Sequence, residues 1–126
     1  MFKLRSIFAT VCVMLMAFAV KADYVIIPVE APVADTYKTV PTSFIQVGKV
    51  IAIECTDVVT NKTVTFSRIL AGGSTNVVST LTTTASTGDN QTFDLSASGY
   101  FWMQKGETWW RGGTETNATV RLIIEQ

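Results

Sequence analysis

Ala118-Thr119-Val120-Arg121-Leu122-Ile123-Ile124-Glu125 alternates apolar and polar side chains almost without a break. Ala118, Val120, Leu122 and Ile124 fall on one face. Thr119, Arg121, Ile123 and Glu125 fall on the other, with Asn117 preceding them, and only Ile123 departs from the pattern. Successive side chains of a strand point to opposite faces, so this stretch predicts a half-buried strand of an antiparallel sheet with one wet side. Phe101 with Met103, Phe93 with Leu95, and Val64 with Phe66 repeat the same spacing.

The rest of the region from residue 42 follows suit. Candidate strands run over Phe44–Thr56, Thr63–Leu70, Asn76–Thr84, Thr92–Ala97, Tyr100–Lys105, Thr108–Arg111 and Thr116–Glu125. The breaks between them carry turn chemistry: Asn61-Lys62, Gly72-Gly73-Ser74, Gly88-Asp89-Asn90, Ser98-Gly99, Gly106 and Gly112-Gly113. No window shows the 3.6-residue apolar period of an amphipathic helix. Ser and Thr make up about a quarter of residues 23–126, and Thr suits half-buried pleated surfaces. Short strands spaced by turns predict an all-β fold, an antiparallel two-sheet β-sandwich or small jelly roll. A chain of this size buries roughly 60–70% of its unfolded surface, enough for one core.

Upstream of residue 42 the pattern changes twice. All three prolines (Pro28, Pro32, Pro41) lie within a short stretch. Such spacing blocks a helix and a central strand, so residues 23–41 read as an extended N-terminal arm. Within it Tyr24, Ile26 and Ile27 are candidate arm contacts, able to add as an edge strand to this chain or to a neighbour. Residues 1–22 hold 17 apolar side chains, three cations (Lys3, Arg5, Lys21) and no acid. They have the parts of a secretory signal peptide: a basic start, an uncharged run from Ile7 to Val20, and small residues before a cleavage point between Ala22 and Asp23. The apolar run is short for a bilayer span, which needs about 20 residues. Domains are therefore expected as 1–22 (signal-peptide helix), 23–41 (arm) and 42–126 (β-sandwich), with the protein exported to the periplasm, the medium or a virion surface.

Splitting the chain at Ala22 changes the charge and the cysteine count. Taking 22 residues from 126 leaves 104, with seven cations against ten acids, a net charge of −3. That balance argues against a nucleic-acid surface built on bulk charge. Cys12 belongs to the signal, so Cys55 stands alone. In Val50-Ile51-Ala52-Ile53-Glu54-Cys55, strict alternation puts Cys55 on the face of Ile51 and Ile53, which predicts a buried thiol and a fold held by packing without disulfides. The chain contains no His, which removes His-based triads and His metal sites. Its acids are scattered, and it has no nucleophile motif, phosphate-cradling loop or Cys-pair knuckle. Asp89, Asn90 and Asp94 follow a Gly-containing turn but match no Ca²⁺ loop spacing and read as turn residues. Asn61, Asn90 and Asn117 open N-glycosylation sequons, of meaning only in a eukaryotic host. No enzyme activity, cofactor or metal is expected.

The segment from Tyr100 to Arg111 holds all three tryptophans (Trp102, Trp109, Trp110) and Met103. Adjacent Trp109 and Trp110 point to opposite faces of a strand, so one sandwich core does not hold every ring. Three readings fit: a subunit interface, cover for the core edges, or a platform for a sugar ring. The candidate interface or glycan-binding residues are Tyr100, Trp102, Gln104, Glu107, Trp109, Trp110 and Arg111.

Residues from about 43 to 126 resemble the small β-sandwich virion proteins of tailed bacteriophages, tail or capsid decoration subunits. The likeness is carried by the strand Val50–Thr56, the Thr/Val strand Lys62–Arg68, the strand Phe101–Gln104 leading into Lys105-Gly106-Glu107, and the closing strand Ala118–Glu125. The resemblance implies a non-enzymatic structural or surface-attachment subunit acting through contacts with other protein subunits, a homo-oligomer among them. A signal peptide and the paired Trp109-Trp110 depart from the pattern. The alternative is a secreted or cell-surface glycan-binding module using exposed Trp residues. Neither reading calls for a nucleic acid, nor for a membrane once the signal is cleaved.

Overall fold

A computed structural model describes residues 23–126, and the signal-peptide reading of 1–22 lies outside the described residues. Nine strands appear in order: β1 (Tyr24–Val29), β2 (Lys38–Val40), β3 (Val47–Thr56), β4 (Thr63–Ile69), β5 (Thr75–Thr82), β6 (Gln91–Asp94), β7 (Phe101–Gln104), β8 (Trp109–Gly112) and β9 (Thr119–Glu125). No helix occurs among the described residues. The strands form two antiparallel sheets, consistent with a β-sandwich. The first has the order β1-β9-β3-β6, with β7 also on β3, and the second is β2-β8-β4-β5. Val120, Leu122, Ile124, Ile27, Val29, Val50, Ile53, Phe101 and Met103 from the first meet Val40, Val64, Phe66 and Trp109 from the second in one buried cluster. Val120, Leu122 and Ile124 are fully buried, and the pairing of β9 between β1 and β3 makes it an interior strand.

The segment expected as an arm packs within the domain. All six residues of β1 pair with β9, from Tyr24 opposite Glu125 to Val29 opposite Val120. Ile27 is 1% exposed and belongs to the core of its own chain, so it offers nothing to a partner. The N–H of Gln126 donates to the Asp23 carbonyl at 2.9 Å, which places the ladder bonds of β1 at its odd-numbered residues. Pro28 sits at an even position. Its missing N–H would have pointed to the open edge, and no ladder bond is lost.

One expectation along β3 fails by a single residue. Val50 and Ile53 are both fully buried, three apart, and Ile51 is not on their face. The register with β9 shifts between Val50 and Ala52, a β-bulge with Ile51 as the extra residue. Beyond the bulge alternation resumes and Cys55 is buried as a free thiol. Burial pushes the thiol up from its ordinary value of 9.0 to about 11, with Arg111 nearby pulling it down and Glu115 pushing it up.

Arg111 and Glu115 are themselves fully buried. The Glu115 carboxylate accepts three backbone N–H bonds, from Val59 at 2.8 Å, Asn117 at 2.8 Å and Ala118 at 2.9 Å. The Arg111 guanidinium donates to the carbonyls of Glu30 at 3.2 Å and Glu115 at 3.1 Å. Together they tie the end of β1, the turn after β3 and the start of β9. Burial lowers the Arg111 pKa, and its neighbours Cys55 and Glu115 oppose that shift.

Glu115→Ala would orphan three N–H groups and leave the buried Arg111 charge uncompensated. A loss of about 3–5 kcal/mol in a urea titration is expected. For Cys55 the folded pKa lies above the unfolded one, so the fold favours the protonated thiol. Its contribution is complete below pH 9 and is lost as pH rises towards about 11. Relative to Cys55→Ala, the native chain should therefore lose about 2–3 kcal/mol between those pH values. Parallel stability curves for the two proteins would refute a thiol held protonated by burial.

Candidate functional site

The aromatic segment divides among three environments. Trp109 is 0% exposed, faces the core from β8 and stacks on Phe101 at 5.4 Å between ring centroids. Arg111, two residues on, faces the same way and is equally buried. Neither can belong to an outward platform or interface, which corrects two of the expected site residues. Alternation did place Trp109 and Trp110 on opposite faces, but the core wraps the first ring completely. Trp110 lies on the outer side of the second sheet, half-buried, stacked on Tyr37 at 5.3 Å. Gly112 beneath admits the Tyr37 ring, because a Cβ there would collide with it.

Glu107 is held by its own turn. Its Oε1 accepts the Gln104 N–H at 2.7 Å, and its Oε2 lies 2.8 Å from Arg68 Nε. Arg68 also donates to the Trp102 carbonyl at 2.8 Å and lies 4.9 Å over the Trp109 ring. This side chain, not singled out by the sequence, clasps the end of β4 to β7 and to the β7–β8 turn. Its signal was a lone cation near the end of a Thr/Val strand, which becomes meaningful only once the strands are paired.

Tyr100, Trp102 and Gln104 remain outward, on the wet face of the first sheet. Register then brings them beside residues far away in the chain. Tyr24 is opposite Glu125, Glu125 is opposite Lys49, and Lys49 is opposite Trp102, a continuous row across four strands. Lys49 Nζ is 3.8 Å from Glu125 Oε1, 4.7 Å from the Tyr100 ring centre and 6.0 Å from that of Trp102. The next row is Ile26, Ile123 and Ala52, and the one after it is Pro28, Arg121, Glu54 and Thr92. Tyr24 (58%), Ile26 (59%), Val47 (50%), Tyr100 (43%) and Trp102 (51%) are all well exposed. Large apolar residues gathered on one face, with charges between them, mark an interaction surface.

Other features carry less chemistry. Asp94 accepts the Ser96 N–H at 2.9 Å, and this bond with the Ser96 hydroxyl holds its carboxyl below the usual range. Asn90 Oδ1 accepts from the Asp57 N–H at 3.2 Å. No cluster of three or more metal-type ligands occurs among the described residues. A cleft of about 670 Å³ opens between β1 and β2, lined by Pro28, Val29, Lys38 and Thr39 among others, with Glu30 and Lys38 paired at 3.8 Å.

Comparison with protein-family models, curated proteins and solved structures finds no match for this chain. The class is therefore defined by the fold itself: an all-β protein of two antiparallel sheets with an aromatic and aliphatic outer face.

Arg68 carries a direct test. Arg68→Ala removes two charge-assisted contacts and a cation–π contact, so a loss of about 1–3 kcal/mol is expected. Intrinsic fluorescence should shift to the red as Trp109 gains access to water. An unchanged spectrum would mean that the clasp does not hold the turn.

Proposed function

We propose that the protein is a non-enzymatic structural or surface-attachment subunit that works through protein–protein contacts on the outer face of its first sheet. The observation that carries this reading is the row Tyr24–Glu125–Lys49–Trp102, with exposed aromatic rings at both ends and a charge pair between them. Aromatic residues anchor protein interfaces because they cover a large area while losing little side-chain entropy. The two sheets, taken as a sandwich or small jelly roll, and the likeness to the decoration proteins of tailed phages agree with a structural role. The export signal read in residues 1–22 would place that role outside the cytoplasm, on a cell or virion surface.

A second reading, glycan binding, draws on Trp102 alone, half exposed with Gln104 on the same face. Lys49 already covers the Tyr100 ring, which leaves little room for a sugar to stack there.

A photo-crosslinking amino acid at position 102, with a control at the exposed Val77 on the second sheet, separates the readings. Protein adducts in the native host are expected from position 102 and none from 77. Equal or absent adducts would refute the protein-contact reading. A saturable Trp fluorescence change with an oligosaccharide, lost in Trp102→Ala, would establish the second reading instead.

A further inference from the structure

The open side of β1 is built to take a strand. Its even-numbered residues turn their backbone groups away from β9, so the N–H and C=O of Tyr24 and Ile26 and the C=O of Pro28 face outward, with no strand beside them among the described residues. The strand Tyr24-Val25-Ile26-Ile27-Pro28-Val29 contains no charge, and its register with β9 is unbroken. Natural edges are normally shielded by a charge, a bulge or shortness. The other edges among the described residues are shielded in these ways: β5 has a register shift in its middle, β2 has three residues including Lys38, β6 has four including Asp94, and β7 has four, with the Trp102 carbonyl already taken by Arg68. On β1 the only such device is Pro28, near one end.

We infer that β1 pairs antiparallel with β1 of a second copy across a two-fold axis, joining the two first sheets into one continuous sheet. The inference rests on the reading of the protein as an interaction subunit and names the partner. Antiparallel pairing is self-complementary, because each copy offers the same two donors, the N–H groups of Tyr24 and Ile26, and carbonyls to receive them. The flanking charges agree. The Asp23 end of one strand comes to the Val29–Glu30 end of the other, where Lys38 lies 3.8 Å from Glu30 and presents a cation to the incoming acid. On the outer face the exposed Ile26 side chain then lies against its counterpart and Tyr24 against Pro28 of the second copy, and the large exposure of both in a single copy is accounted for. Trp102 lies three strands away from this edge and stays free, so the aromatic face becomes a doubled surface with one Trp102 at each end.

The test uses the full chain, expressed for export, with the mass of the product followed by light scattering from low to high concentration. A dimer is expected in the native protein. Hydrogen exchange at the Tyr24 and Ile26 amides should slow at least tenfold as it forms. Ile26→Pro removes one of the two donors but no bond to β9, as Pro28 already shows, so the thermal transition of the single copy should survive. The dimer constant should weaken by at least tenfold. Tyr24→Pro, which removes the other donor, should do the same and guards against a local effect at position 26. A monomer at every concentration, or a dimer that keeps its affinity in both variants, would overturn the edge pairing. Neither result touches the adducts expected at position 102, so failure here is distinguishable from failure of the protein-contact reading.

Discussion

The carboxylate of Glu115 is the constraint on which much of this structure depends. Burying a charge is costly, and Glu115 is accommodated because three backbone N–H groups converge on it. Those groups come from the turn after β3 and from the entry to β9, so one side chain sets where the longest strand ends and where the last begins. Arg111 completes the arrangement from the other side and reaches the Glu30 carbonyl at the end of β1. These anchors fix one end of β1, β9 and β3, and the ladders of β9 with both neighbours carry that alignment along to the outer row.

At the opposite end of the sheets Arg68 performs a comparable task with a half-exposed side chain. It holds the β7–β8 turn between the two strands whose alternation sends Trp109 inward and Trp102 outward. The two ends are therefore stabilised differently. One is a dry network of hydrogen bonds, and the other is a solvent-accessible cation that salt screens in part.

Most of the fold was legible from alternation. Val120, Leu122 and Ile124, Phe101 and Met103, Val64 and Phe66 all face inward as their spacing requires, and each predicted strand overlaps an observed one. Ile51 was misplaced because a bulge leaves no local mark in composition. The prolines mark residues 23–41 as an extended arm able to add an edge strand to this chain or to a neighbour, and the pairing of β1 with β9 is the first of these, with Pro28 compatible with its place at an edge. The site was legible only by half. Tyr100, Trp102 and Gln104 were in view, but Lys49, Glu125 and Tyr37 meet the aromatic residues through register, which no single stretch of sequence encodes. Trp109 and Arg111 drew attention for their chemistry and serve the core instead.

The bulge at Ile51 also divides β3 into two working halves. Val47–Val50 pair with β7, whereas Ala52–Cys55 pair with β6, so the neighbour changes where the extra residue sits. The Ile51 carbonyl receives the Leu95 N–H at 3.0 Å, just where the chain leaves β6 for the loop to β7. Each half of β3 thus keeps its own ladder, and the stretch between Leu95 and Phe101 bridges them without belonging to either. That makes it a natural point of growth: residues gained or lost there change the rim beside Tyr100 and Trp102 while both ladders keep their count.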